Sequence, residues 1–333
     1  MSAAKRWLKR SLAGSGIFRL AGRFASPAVA ILSYHSVSDD PEKRADTLGK
    51  IVHSTSIFSR QMEWIVRKFH PVALDDAVGF VQGTGKLPSK PVIVTFDDGY
   101  ADNCEVVAPI LNRLGIPATF YLTVGCVDTA RLPWVARLRY SFARGRKMVW
   151  IDCSGHPWLL NSAGQRKLAC QAAWEYCARL SRDEQEQFVR AIEGALDAEL
   201  ASSSENLMMT WDQARKLVQQ GHTVGSHSMT HPNLAHLQPE DLRFELEQSK
   251  RRLAQELSHV VTHFSYPCPA LQPHWSERTV EVCRTLGYST AVTSDSGPVR
   301  QGDDLLSLHR IPPTAEVDGL NWNLNCAFLG RAV

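Results

Sequence analysis

Two adjacent carboxylates, Asp97 and Asp98, follow the apolar run Pro91–Phe96 and precede Gly99. A buried parallel strand delivers its chemistry at its C-terminal end, and a glycine there lets the backbone turn sharply. Adjacent acids repel each other and resist desolvation unless a cation or a proton answers them. A metal ion answers them: one carboxylate binds it and the other stays free as a base. Asp-Asp-Gly is also ordinary turn chemistry, so the tripeptide alone decides nothing.

A second cluster is His227-Ser228-Met229-Thr230-His231. Histidines four apart in a helical turn share one face, within reach of one ion. Imidazole nitrogen suits zinc, whose catalytic sites keep three protein ligands and an open position. In the H-E-x-x-H signature a glutamate after the first histidine is the base. Here Ser228 stands there, so the base comes from elsewhere, and Asp97 can supply it. His35 follows the apolar run at residues 28–33, beyond Tyr34, and suits a general acid. The segment Phe264-Ser265-Tyr266-Pro267-Cys268-Pro269 can direct a loop N–H into a site. In Leu308-His309-Arg310-Ile311-Pro312, Arg310 can pair with Asp97 and keep it ionised.

These residues need strands to deliver them. Residues 28–33, Pro91–Phe96, 118–124, 222–226, 263–266 and 289–293 read as strands. Residues 61–68, 103–114, 210–220, Pro239–Leu257 and 276–286 read as helices. Gly115 and Gly221 are helix stops, and Thr210 is a helix start. The alternation predicts a parallel sheet covered by helices. It stops between about residues 126 and 208, where 148–152 reads as one strand of a hairpin and 165–180 and 182–200 as helices. Ser202, Ser203 and Ser204 read as the exit loop of this insertion. The sum is one α/β domain over residues 28–333, an incomplete β/α barrel with a helical insertion.

The 333 residues are 44% hydrophobic and 21% charged, an ordinary globular balance. A formal charge of +3 makes no case for nucleic acid. None of the eight cysteines forms a C-x-x-C pair, so a thiolate zinc site has no support, and reduced thiols suit a cytoplasmic protein. Residues 1–27 read as a basic amphipathic arm. Its first 24 residues hold Lys5, Arg6, Lys9, Arg10, Arg19 and Arg23 and no acid. Such a segment can lie on an anionic membrane surface or stay solvated. It lacks the apolar stretch of a signal peptide, and no run approaches the length of a spanning helix. The expected location is cytoplasmic, with peripheral contact at the inner membrane through residues 1–24; export stays open.

In their order, TFDDGYADN, HSMTH and FSYP resemble the polysaccharide deacetylase family, the NodB-homology group of carbohydrate esterase family 4. The resemblance spans about residues 28–313. It implies a distorted (β/α)7-type barrel. It also implies Asp97 as catalytic base and Asp98, His227 and His231 as ligands of one divalent ion. Zinc is the expected ion, with nickel, cobalt and iron as alternatives. The N–H of Cys268 matches the oxyanion donor. The early Tyr34-His35 pair resembles the branch with poly-N-acetylglucosamine deacetylases, which makes His35 the general acid. The chain departs from the pattern at Cys268-Pro269 and at Ser265, where many members carry an arginine that Arg310 replaces. His309 lies near the commoner position of the acid histidine. The implied reaction releases acetate from an N-acetylated amino-sugar glycan. Two rival readings are a glycan-binding scaffold without catalysis and a hydrolase of small cyclic amides. The oligomeric state is not addressed by these patterns.

Overall fold

A computed structural model of the chain describes residues 27–129, 131–198 and 207–330. The basic arm read at residues 1–24 and the serines at 202–204 lie outside the described residues.

The chain opens with β1 (Ala30–Tyr34), β2 (Ser36–Ser38), α1 (Pro41–Leu48) and β3 (Val52–Ser54). Helix α2 (Thr55–Lys68) starts earlier than its apolar pattern suggests, because Ser54 caps it by accepting the Ile57 N–H. After β4 (His70–Pro71) and α3 (Leu74–Val81), strand β5 (Pro91–Phe96) is buried at all six residues. A strand covered on both faces reads as one apolar run, which is why it was legible.

The helix expected at residues 103–114 divides. Asn103–Val107 is wound as a π-helix and α4 (Ala108–Leu114) follows, with Gly115 left-handed at its end. Pro109 has no N–H to give, and a widened turn just before it absorbs the lost bond. Strand β6 (Ala118–Leu122) completes this part.

The insertion holds α5 (Trp134–Arg144), the antiparallel hairpin β7 (Val149–Ile151) and β8 (Pro157–Leu159), α6 (Ala163–Cys177) and α7 (Arg182–Ala195). Helix α5 was not read from the sequence. The barrel resumes with α8 (Trp211–Gln219), where Thr210 and Gln213 cap each other, and β9 (Thr223–Ser226). Then come α9 (Pro239–Leu257), β10 (His263–Ser265), α10 (Glu277–Thr285), β11 (Thr290–Ser296), β12 (Leu308–Arg310) and α11 (Val317–Phe328). Among the described residues no helix is long and apolar enough to cross a membrane.

The strands lie in the order β1-β5-β6-β9-β10-β11-β12, each parallel to its neighbours. The ring closes between its two ends. Ile311 donates to the Ile31 carbonyl at 2.7 Å, and Ser33 donates to the Ile311 carbonyl at 3.2 Å. The result is a nearly closed seven-stranded barrel wrapped by helices. Strand β4 adds to the start of β5.

Side chains alternate across a strand. Ile31 and Ile93, paired in register, fall in one apolar cluster, and Leu32 and Val94 fall in another under the helices. The face of Ile31 and Ile93 continues to Ser33 and His35 on one strand and to Thr95 and Asp97 on the next. Polar chemistry is thus brought to one face at one end of the barrel.

Candidate active site

Asp97 continues the ladder past β5: its N–H donates to the Tyr34 carbonyl at 3.0 Å. Asp98 breaks away with φ 73, and Gly99 follows with φ 85. At Gly99 a Cβ would meet Leu122, so glycine answers a close approach as well as a left-handed turn. Asp98, Ser228 and His231 all hold positive φ without being glycine. Such backbone costs roughly 1–3 kcal/mol per residue and marks places where the surroundings impose it.

His227 N–H donates to the Leu122 carbonyl at 2.9 Å, so this histidine starts where β9 leaves β6. The turn after it is built around Glu245 of α9, which is fully buried. Glu245 accepts the N–H groups of Met229 and Thr230 and the Thr230 hydroxyl, all within 2.9 Å. The sequence reading missed Glu245, which sits mid-helix without a motif. Trp134 of α5 donates from Nε1 to the His231 carbonyl at 2.8 Å.

Asp98, His227 and His231 place their ligand atoms within 4.8 Å of one another. Nε2 of each histidine lies 3.4 Å from Asp98 Oδ1, and that buried oxygen has no hydrogen-bond partner. His227 donates from Nδ1 to the Ser265 carbonyl at 2.7 Å, which fixes its tautomer and frees the Nε2 lone pair toward the cluster. Burial works to raise the Asp98 carboxyl, but the two imidazoles hold it well below the usual carboxylate range. A carboxylate oxygen without a donor, facing two imidazole nitrogens, fits a divalent cation of the borderline class.

Asp97 is served by the far side of the barrel. Arg310, the last residue of β12, reaches both its oxygens, with Nη1 to Oδ1 at 2.8 Å and Nη2 to Oδ2 at 2.7 Å. The same guanidinium holds Thr95 Oγ1 and the Thr293 carbonyl. The Ser265 hydroxyl adds a third bond to Asp97 Oδ1 at 3.2 Å. Burial alone would raise the Asp97 carboxyl, yet Arg310, His227 and His35 bring it down to about 2. Ser265, read as a gap where relatives carry arginine, therefore binds Asp97 by its hydroxyl and His227 by its carbonyl.

His35 Nε2 stands 3.9 Å from Asp97 Oδ2, with its side chain 28% exposed to the cavity. Burial pushes this imidazole below its ordinary value, despite the upward pull of Asp98 and Asp97. The pull of the two carboxylates on the ring is thus outweighed by burial. His309 is not brought to the site. In β12 the flanking Leu308 and Arg310 are buried and His309 is exposed, as alternation along a strand requires. It lines a separate hollow with Gly297 and Arg300.

The turn after β5 holds His35 and the residues next to it from behind. Asn103 donates to the His35 carbonyl at 2.7 Å. Asp102, itself paired with Arg44, accepts the Ser36 hydroxyl and the Val37 N–H. The sequence reading quoted Asp102 and Asn103 but gave neither a task. Cys268 lines the cavity, with Sγ turned 3.2 Å from His274 Nδ1. In Pro267-Cys268-Pro269 only the middle residue owns a backbone N–H. The whole cavity measures about 400 Å³ and gathers His35, Asp97, Asp98, His227, His231, Cys268 and Arg310.

A comparison with known families now bears on this geometry. Residues 84–291 match the family described as polysaccharide deacetylase. The chain belongs to that family. Solved structures share the barrel. The Streptococcus pyogenes deacetylase PplD covers 90% of this chain and 99% of its own, with a TM-score of 0.60 at 18% identity. IcaB from Ammonifex degensii covers 92% of this chain and 98% of its own, with a TM-score of 0.57 at 20% identity. Similarities in sequence run to YxkH of Bacillus subtilis (strain 168), 21% identical over 87% of this chain and 72% of that protein. The poly-beta-1,6-N-acetyl-D-glucosamine N-deacetylase of Escherichia coli (strain K12) is 33% identical over 99 residues, 29% of this chain and 14% of that protein. The deacetylase family is one of hydrolases that act on glycans, and this chain is an enzyme of that kind.

Proposed function

We propose that the chain removes N-acetyl groups from an amino-sugar glycan, with Asp97 as base and His35 as general acid. One observation carries this reading: Asp97, clamped by Arg310, lies 3.9 Å from His35 in the cavity that holds the Asp98, His227 and His231 cluster. Those three would hold one divalent ion, with zinc expected. Bound there, such an ion supplies Lewis-acid polarisation of the acetamido carbonyl and makes nearby water more acidic.

The residues of the chain do the rest. Arg310 keeps Asp97 ionised, so its carboxylate is free to take a proton from the attacking water. The N–H of Cys268 donates to the oxyanion that develops on the former carbonyl. The amine cannot leave without a proton. His35 Nε2 donates it, and Asp97 Oδ2, 3.9 Å away, is the nearest source from which a neutral imidazole can be reloaded. Acetate and a free amino sugar result, with no acyl-enzyme.

The test is acetate release from a panel of N-acetylated glycans, with and without a chelator. Release that stops with chelator and returns with a divalent ion supports the reading. Release that ignores the chelator contradicts the ligand assignment, and no release from any member contradicts the substrate class.

A further inference from the structure

The catalytic cavity has an outer wall that the deacetylation chemistry does not use. It is formed by Lys50, Arg139 and Trp174. Arg139 and Trp174 also line an adjoining hollow of about 280 Å³ on the insertion, with Arg166 and Lys167 in its lining. The Arg139 guanidinium lies over the Trp174 indole, 4.7 Å from a ring centroid, a cation–π distance. On its other side it rests against Gly49, which has φ 67, and a Cβ there would strike the guanidinium. Arg139 is therefore seated, with Lys50 next along the chain from the glycine.

Among the described residues no carboxylate pairs with Arg139 or Lys50. Burial pushes the guanidinium below its ordinary value, and the groups that pull it back are a thiol and a phenol, not an acid. Its neighbours differ. Arg137, two residues earlier on α5, is held by Glu186 and Glu193, and Arg310 by Asp97. A half-buried cation without an anion is unfavourable, and its complement is a carboxylate or a phosphate, which a planar guanidinium binds through two parallel bonds.

We propose that Arg139, assisted by Lys50, is an anion subsite, and that the substrate is an N-acetylated glycan carrying a carboxylate or phosphate within reach of the same cavity. The proposal rests on the deacetylase reading for the glycan but not for the anion. The stacked Trp174 holds the guanidinium in place, so that little side-chain freedom is lost on binding.

Calorimetric binding to the full chain tests it with three probes of equal length. One is a neutral N-acetylglucosamine tetramer, one contains a uronate, and one carries a phosphate monoester. A charge-assisted pair predicts that one anionic probe binds about tenfold more tightly than the neutral one. That preference should shrink with added salt, vanish in Arg139→Met and return in part in Arg139→Lys. The tighter of the two anionic probes identifies the source of the charge. Equal affinity for all three, or a preference kept by Arg139→Met, overturns the subsite. A preference for the anionic probes without acetate release from any of them leaves the subsite standing and removes the deacetylase reading.

Discussion

The strand-end face of the barrel and the insertion between β6 and α8 are held together differently. At the strand ends, Arg310 and Ser265 tie polar groups of different strands to one another. Arg310 of β12 joins Asp97 and Thr95 on the β5 side to Thr293 of β11, and Ser265 of β10 joins Asp97 to His227. The insertion instead closes over its own apolar cluster, with Trp134, Leu138, Phe142, Trp150 and Leu160 at its centre. Its hairpin cannot bury both faces. Trp150 turns inward, while the paired Val149 and Leu159 are 44% and 51% exposed and Ile151 is 65% exposed. The barrel end needs distances kept to tenths of an ångström, and the insertion needs only to stand beside it as a wall.

The largest effect belongs to the proposed metal ligands, Asp98, His227 and His231. His227→Ala and His231→Ala each leave too few donors for a three-ligand site. Metal analysis is expected to fall from about one ion per chain to near zero, with acetate release lost. Val149→Asp, on the exposed face of the hairpin, is expected to change neither. A double variant of His227 and His231 that keeps a stoichiometric ion would place the metal elsewhere.

Next comes the proposed acid, His35. His35→Ala should lower kcat by about 10²–10⁴ at matched metal content, while His309→Ala stays close to the parent. The reverse result would mean that an exposed residue of β12 turns inward during catalysis. This pair also shows what a sequence can carry. The period of two in Leu308-His309-Arg310 places His309 opposite Arg310, but that follows only once the segment is known to be a strand. Three residues without an apolar run gave no such signal, nor did the two residues of β4. Long buried strands such as Pro91–Phe96 and capped helices such as Trp211–Gln219 were legible, because burial and caps act locally. Asp97, Asp98, His227 and His231, which the cavity gathers, were legible from motifs. Glu245, Ser265 and Asn103 were not, because each works through contacts with residues far away in the chain. Helix α5 was hidden because its arginines are used inside the fold: Arg137 is buried against two glutamates on α7.

A smaller effect crosses the boundary between the two regions. Trp134 belongs to the insertion, but its indole N–H holds the carbonyl of His231, whose backbone is left-handed. Trp134→Phe keeps the ring and removes that bond, so metal affinity should weaken roughly tenfold, the scale of a lost outer partner. Phe142→Ala removes a fully buried ring from the same cluster and should lower stability by about 3–5 kcal/mol. Metal affinity of its folded form should hold. Equal metal losses in the two variants would show that the insertion supports the site as a whole rather than through one hydrogen bond.

The smallest effect is a pH dependence in the segment behind His35. Burial raises the Asp102 carboxyl from the ordinary 3.8 to about 6, against the pull of Ser36, Arg44, Val37 and Asn103. A folded-state value above the unfolded one means that the folded chain favours the protonated acid. The stability that follows is fully present below 3.8 and is lost as pH rises through about 6. Asp102→Asn cannot titrate and keeps one oxygen that can still accept the Val37 N–H. Comparing the two proteins cancels the other titrating groups they share. The Tm of the parent, measured relative to Asp102→Asn, should therefore decline by on the order of a few degrees across that window and level off above it. A difference that stays flat through the window would mean that Arg44 keeps Asp102 ionised throughout. A difference that grows with pH would mean a lowered value, with the ion pair dominating burial. Asn103 beside it ties the His35 carbonyl, so a loosened Asp102 would be felt next to His35.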